Sequence, residues 1–319
     1  MNANVLKRPI SDPHFHLWSP RTHSWLNDKA GLANHSAADL NSVGRDYGIP
    51  EFLAESNKYS VDASVHIQCY HDDALQETVS LQSIAESNSL GHPHGIMAYA
   101  ELESADFAQT LAHHMKCANF RGIRQCVDYH AQFENRRLCP RDDLLMDSAF
   151  HDGLRLLAQH GLLFDLQLFP SQLRAASLMA AAHPTLGIIV NHCGFPMLNE
   201  HPRAEQEWLR GLELMAQHQN VSIKLSGWSI VDQNFSKASM TEIIHSVLTQ
   251  FGTDRCMFAS DFPVDKAHGL TFDAYWDLYV EILTELGCSE CEIDKMLHTN
   301  AIRIYKLKHK QRTHVKSKL

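Results

Sequence analysis

Two histidines two residues apart, His14 and His16, stand in the segment Ser11-Asp12-Pro13-His14-Phe15-His16-Leu17-Trp18. In an extended strand such residues point to the same side, so Asp12, His14 and His16 are expected to share one face. Paired imidazoles can chelate one cation or donate two hydrogen bonds to a single oxygen. A third histidine, His192, closes the apolar run Ile188-Ile189-Val190-Asn191, and Gly194 lets the chain turn at once. The run Cys256-Met257-Phe258-Ala259-Ser260 has the same design and ends in a carboxylate, Asp261. Burying that carboxylate alone is costly, so it should meet a cation, hydrogen-bond donors or water; a helix N-cap is the plainer alternative. Three imidazoles and one carboxylate suffice for a single divalent ion with open positions for water and substrate, provided that the fold gathers them.

Other polar residues sit where strands end. Arg124 follows Gly122-Ile123, where a guanidinium can hold a substrate carboxylate or hydroxyls in a fork, or form a structural ion pair instead. His66 and Gln68 alternate along one apolar run, which points Gln68 at the same opening, with His71 joining from the following loop. Asp165 and Gln167 share a face and suit a supporting role in a polar interior. Lys224 and Ser226 also share one, and packing accounts for them equally well. Trp18 and Trp228 read as packing residues.

The elements that must position these groups are eight short apolar or β-branched runs: 10–15, 63–68, 95–100, 120–127, 162–168, 187–191, 221–225 and 256–260. Segments with apolar residues three and four apart lie between most of them, as in Phe150 to His160, Glu205 to Gln217 and Met240 to Phe251. Strands alternating with helices predict a parallel sheet covered by helices. Eight units in 319 residues fit one (β/α)8 TIM barrel, whose strand ends converge on a single rim. No glycine-rich phosphate loop follows any run. Ser19 to Tyr59 is long and polar, a loop after strand 1 placed to cover the site. The basic end, 308–319, reads as a solvated tail of a single domain spanning 1–319.

A net charge of −9 argues against a general nucleic-acid binder. Neither a signal peptide nor a membrane span is legible. The eight cysteines are scattered, as in reduced cytoplasmic proteins; Cys288 and Cys291 form a C-x-x-C pair with no second pair facing it.

Taken in order, D-P-H-F-H-L-W (12–18), V-H-I-Q (65–68), F-R-G-I-R-Q (120–125), N-H-C-G-F-P (191–196), K-L-S-G (224–227), S-D-F-P-V (260–264) and N-A-I-R-I-Y (300–305) resemble the amidohydrolase 2 branch of the amidohydrolase superfamily. Within that branch the chain looks most like the sugar-lactone and 2-pyrone-4,6-dicarboxylate lactonases. The resemblance implies a TIM-barrel hydrolase that opens a lactone, with His14, His16, His192 and Asp261 as its active-site quartet. One divalent ion, zinc or manganese, would sit there; a variant of the same chemistry uses no metal, the imidazoles polarising the carbonyl directly. Members with two metals carry a bridging lysine or glutamate on a middle strand, and none is evident here, so a binuclear site is not expected. Asp261 would take the proton of the attacking water, its pKa held low by nearby positive charge. The expected partner is a small-molecule substrate, with homo-oligomer formation left open. The alternatives are a metal-dependent decarboxylase of an unsaturated or aromatic carboxylate, and a non-catalytic barrel.

Overall fold

The computed structural model describes residues 7–28, 44–131, 137–196, 203–232 and 234–308; much of the expected loop, 29–43, and the tail, 309–319, lie outside them. Eight parallel strands follow one another in spatial order: β1 (Arg8–Phe15), β2 (Tyr59–Ile67), β3 (Gly95–Ala98), β4 (Phe120–Cys126), β5 (Leu163–Gln167), β6 (Gly187–Val190), β7 (Val221–Leu225) and β8 (Cys256–Phe258). Every expected run overlaps one of them, and β1 and β2 begin two and four residues earlier than expected. A helix follows each strand: α1 (Ile49–Ala54), α2 (Ala74–Ser87), α3 (Phe107–His114), α4 (Ser148–Gln159), α5 (Leu173–Ala182), α6 (Ala204–Ala216), α7 (Lys237–Phe251) and α8 (Phe272–Glu285). Several start where a side chain satisfies free backbone donors. Asp147 accepts from the amides of Ala149 and Phe150, and Thr271 from that of Ala274.

The ring is drawn together at its carboxyl end. Beyond β8, the Asp261 amide donates to the His14 carbonyl at 2.9 Å, and the His16 amide to the Phe262 carbonyl at 2.8 Å. The contacts that bring β8 to β1 therefore run through the residues expected to do chemistry. At the opposite end the interior is filled by Ala63, Val65, Ile67, Met97, Leu163, Ile189 and Met257, packed against Ala301, Tyr305 and Leu307 of the C-terminal segment. This layered filling makes the barrel a packed core and leaves polar chemistry to the strand ends.

Candidate active site

His14 and His16 sit at the end of β1 and are buried. Their Nε2 atoms lie 3.4 and 3.3 Å from Asp261 Oδ1. The three side chains offer ligand atoms all within 4.8 Å of one another. His192 is adjacent, its ring centroid 4.5 Å from that of His14, but it stands outside this three-ligand group, with Nδ1 3.1 Å from Ser226 Oγ. The expected set of four is thus gathered as three ligands and a neighbouring imidazole.

Asp12 does not share the histidines' role. The β1–β2 register shifts between Asp12 and Phe15. The Asp12 carboxylate receives the Ser260 amide at 3.0 Å, the Ser260 hydroxyl at 2.5 Å and the His14 amide at 3.3 Å. It therefore clamps the two strand ends that carry the quartet. His192, Cys193 and Asp261 have φ of 51°, 57° and 55°, a left-handed backbone that is uncommon outside glycine and gathers at functional sites.

The ring nitrogens are held by identifiable partners. His16 Nδ1 is 2.8 Å from the Ile67 carbonyl, an acceptor only, so Nε2 carries the lone pair that faces Asp261. His14 Nδ1 lies 3.3 Å from Lys224 Nζ. Lys224 has its strong partner in Asp165, 2.5 Å away, and Asp165 also accepts from the Tyr305 hydroxyl at 2.9 Å. The weak contact to His14 can be given up when Nε2 takes a cation. Burial first, then the charge of Lys224, lowers the pKa of His14, and burial lowers that of His16 to about 3, so both are neutral and able to ligate.

Asp261 departs from expectation. Burial raises its pKa to about 8, against the lowering influence of Arg124 and Lys224. Neighbouring cationic side chains alone do not keep this carboxylate ionised, because desolvation outweighs them. His14 Nε2 and both Asp261 oxygens are buried without a hydrogen-bond partner among the described residues. Two imidazoles and a carboxylate around one point, with His14 Nε2 and both carboxylate oxygens unsatisfied, are a donor set that fits a divalent ion.

Arg124 is buried at the end of β4. One terminal nitrogen donates to Gln167 Oε1, another to the Gln68 carbonyl at 3.3 Å, and Nε has no partner among the described residues. Gln68 accepts the Tyr70 amide on Oε1 at 2.9 Å and leaves Nε2 unpaired. His71 is elsewhere: its ring lies 4.9 Å from that of His23, its Nδ1 accepts the Asp73 amide at 2.9 Å, and it lines an outer groove with Trp18 and Glu51. No described contact joins it to the quartet. The chain leaving β2 turns outward after Tyr70, whose φ is 59°.

Sequence reasoning missed two supports. Asp265 receives the amides of Trp228 and Ser229, each at 3.0 Å, and so fixes the loop that follows β7. Gly227, quoted only as part of a motif, faces the His192 ring: a Cβ there would stand 2.3 Å from Nδ1. No spacing signal marks either one.

With this geometry in hand, the comparisons with known proteins decide the family. A family model described as amidohydrolase matches residues 11–307. The chain belongs to the amidohydrolase family. An uncharacterized protein of Sinorhizobium fredii, y4mH, is 33% identical over 302 residues, covering 93% of this chain and 98% of that protein. The L-fucono-1,5-lactonase of Burkholderia ambifaria is 24% identical over 81% of each chain. Among solved structures, a Burkholderia multivorans amidohydrolase with bound zinc superposes with a TM-score of 0.77 at 22% identity, over 95% of this chain and 100% of that one. This amidohydrolase is a hydrolytic enzyme on a TIM barrel. No helix among the described residues is long and apolar enough to cross a membrane.

Proposed function

We propose that this amidohydrolase opens a lactone of a sugar acid or carboxylated ring. The observation that carries the reading is the cluster of His14, His16 and Asp261, in which His14 Nε2 and both carboxylate oxygens are unsatisfied, together with two further unpaired buried donors among the described residues, Arg124 Nε and Gln68 Nε2. The lactonase relatives that align over most of the chain support the substrate class. His14, His16 and Asp261 would hold one divalent ion, zinc or manganese, which when bound supplies Lewis-acid polarisation of the ester carbonyl.

Asp261 Oδ1 faces the two imidazoles, which leaves Oδ2 to take the proton of the attacking water and return it to the departing alkoxide. A carboxylate pushed up to about 8 by burial is a base at neutral pH only when a cation sits beside it, so metal retention and base function go together. His192 Nδ1 is held 3.1 Å from Ser226 Oγ; in the tautomer with the proton on Nε2, the ring would donate to a developing oxyanion. Arg124 and Gln68 orient the substrate's carboxylate or hydroxyls.

The test is a panel of sugar lactones, with L-fucono-1,5-lactone and 2-pyrone-4,6-dicarboxylate included, followed by acid release with a pH indicator. Turnover of at least one lactone, absent in Asp261→Asn, is expected. Inactivity on every lactone, with carbon dioxide released from an unsaturated or aromatic carboxylate, would replace hydrolysis by decarboxylation.

A further inference from the structure

A second group of metal-ligating side chains lies outside the quartet. His23, from the segment after β1, Cys69, just past β2, and Glu77, on α2, are all buried. His23 Nε2 is 3.3 Å from Cys69 Sγ and 3.8 Å from Glu77 Oε1, and Sγ is 3.6 Å from that oxygen. A tetrahedral zinc ion with bonds of about 2.0–2.3 Å has ligand–ligand edges of roughly 3.3–3.6 Å. The three atoms already stand close to that spacing. We propose that His23, Cys69 and Glu77 form a second, structural metal site for zinc or a similarly thiophilic divalent ion.

The surroundings match what such a site needs. His23 Nδ1 lies 3.2 Å from the Ser19 carbonyl and 3.3 Å from the Ser19 amide; in the tautomer that donates to the carbonyl, the Nε2 lone pair is free for an ion. Glu77 Oε1 is steadied by the Cys69 amide at 3.4 Å. On coordination the Cys69 thiol releases its proton to solvent, so thiolate and carboxylate together neutralise a divalent charge. A groove of about 470 Å3, lined by His23, Glu77, His71, Trp18 and Leu81, gives access. His71, whose ring centroid lies 4.9 Å from that of His23, stands outside this three-ligand group, so water would complete the coordination. Three separate segments meet at this point, so an ion would staple the chain after β1 to the end of β2 and to α2. Cys69 lies two residues beyond Ile67, whose carbonyl holds His16. The staple would thus stiffen one wall of the catalytic opening without touching substrate.

Cobalt(II) titration tests the site directly, because the quartet has only nitrogen and oxygen donors. The full chain carrying Cys288→Ser and Cys291→Ser, which removes the surface thiols, should develop a thiolate-to-cobalt charge-transfer band at one ion per chain. The band should survive the further changes His14→Asn and Asp261→Asn and vanish with Cys69→Ser. In the His14→Asn/Asp261→Asn background, zinc should bleach it and raise Tm in the same stoichiometry. Absence of any band in the Cys288→Ser/Cys291→Ser protein overturns the proposal, as does a band that persists in Cys69→Ser; neither result depends on whether the enzyme hydrolyses lactones.

Discussion

Replacing Gly227 with alanine should disable the enzyme by moving one ring. Gly227 has φ 69° and ψ 35°, where an alanine costs about 1–2 kcal/mol. Its new Cβ would stand 2.3 Å from His192 Nδ1, 2.6 Å from Cγ and 3.0 Å from Cε1. Comfortable carbon contacts begin near ~3.5 Å, so the imidazole must retreat by about 1 Å. Ser226 Oγ, 3.1 Å from the same Nδ1, would lose its partner. A misplacement of this size can cost about 100-fold in rate, which is the expected fall in kcat/KM on the best lactone of the panel. Gly269→Ala is the control: φ is 87° and ψ −3°, also left-handed, and nothing lies within 4 Å of the point its Cβ would occupy, so it carries a comparable backbone penalty with no collision. Both variants should lose similar stability by thermal unfolding, and only Gly227→Ala should lose activity. Activity within about threefold of wild type in Gly227→Ala would show that the placement of His192 does not matter to catalysis.

Asp261→Asn should keep the fold, since the amide bond to His14 is main-chain, and lose at least about 1,000-fold in kcat; near-normal turnover would remove Asp261 from the chemistry. His14→Ala with His16→Ala, or prolonged chelation of the wild type, should abolish turnover and remove the ion at the quartet; unchanged stoichiometry by elemental analysis refutes the ligand assignment. Lys224→Met strands the buried Asp165 carboxylate and should cost about 3–5 kcal/mol, whereas Lys224→Met with Asp165→Leu should cost less; equal losses in denaturant titrations would contradict an ion pair there. Buried His92 and His114 have pKa values lowered by burial to about 3 and about 4. Folded values below the unfolded ~6.5 mean that the native state is favoured most above pH ~6.5 and loses stability as pH falls, by about 2 kcal/mol for each histidine between about pH 7 and 5. His114→Gln should flatten that slope in pH-dependent unfolding, and an unchanged slope would locate the acid sensitivity elsewhere.

The barrel was legible because the strands recur as short apolar or β-branched runs separated by helix-like segments, and the histidines and Asp261 stand at the ends of three of them. Alternation within a strand is a reliable guide only while the pleat is regular. It placed His14 and His16 on one face, but the register shift after Asp12 turned that carboxylate to Ser260. His71 failed for a related reason: it lies past Tyr70, where positive φ ends the extended backbone that the expectation assumed. The pKa of Asp261 could not be read at all, because it depends on how much water the fold excludes. The pairing of Lys224 with Asp165 and of Asp165 with Tyr305 is likewise invisible, joining residues 59 and 140 positions apart that meet only inside the closed barrel.

These buried contacts explain why so many polar groups are tolerated where hydrophobic residues would pack at less cost. The reactive atoms must stay unsatisfied until substrate or metal arrives, and an unsatisfied buried group favours any local rearrangement that finds it a partner. Asp12 ties the ends of β1 and β8 together, Asp265 ties the loop after β8 to the turn after β7, and Ser226 holds His192 from that same turn. Each clamp satisfies its own polar atoms while denying the neighbouring quartet the freedom to do so. The carboxylates that touch no substrate therefore preserve the imbalance on which the chemistry of Asp261 and the imidazoles depends.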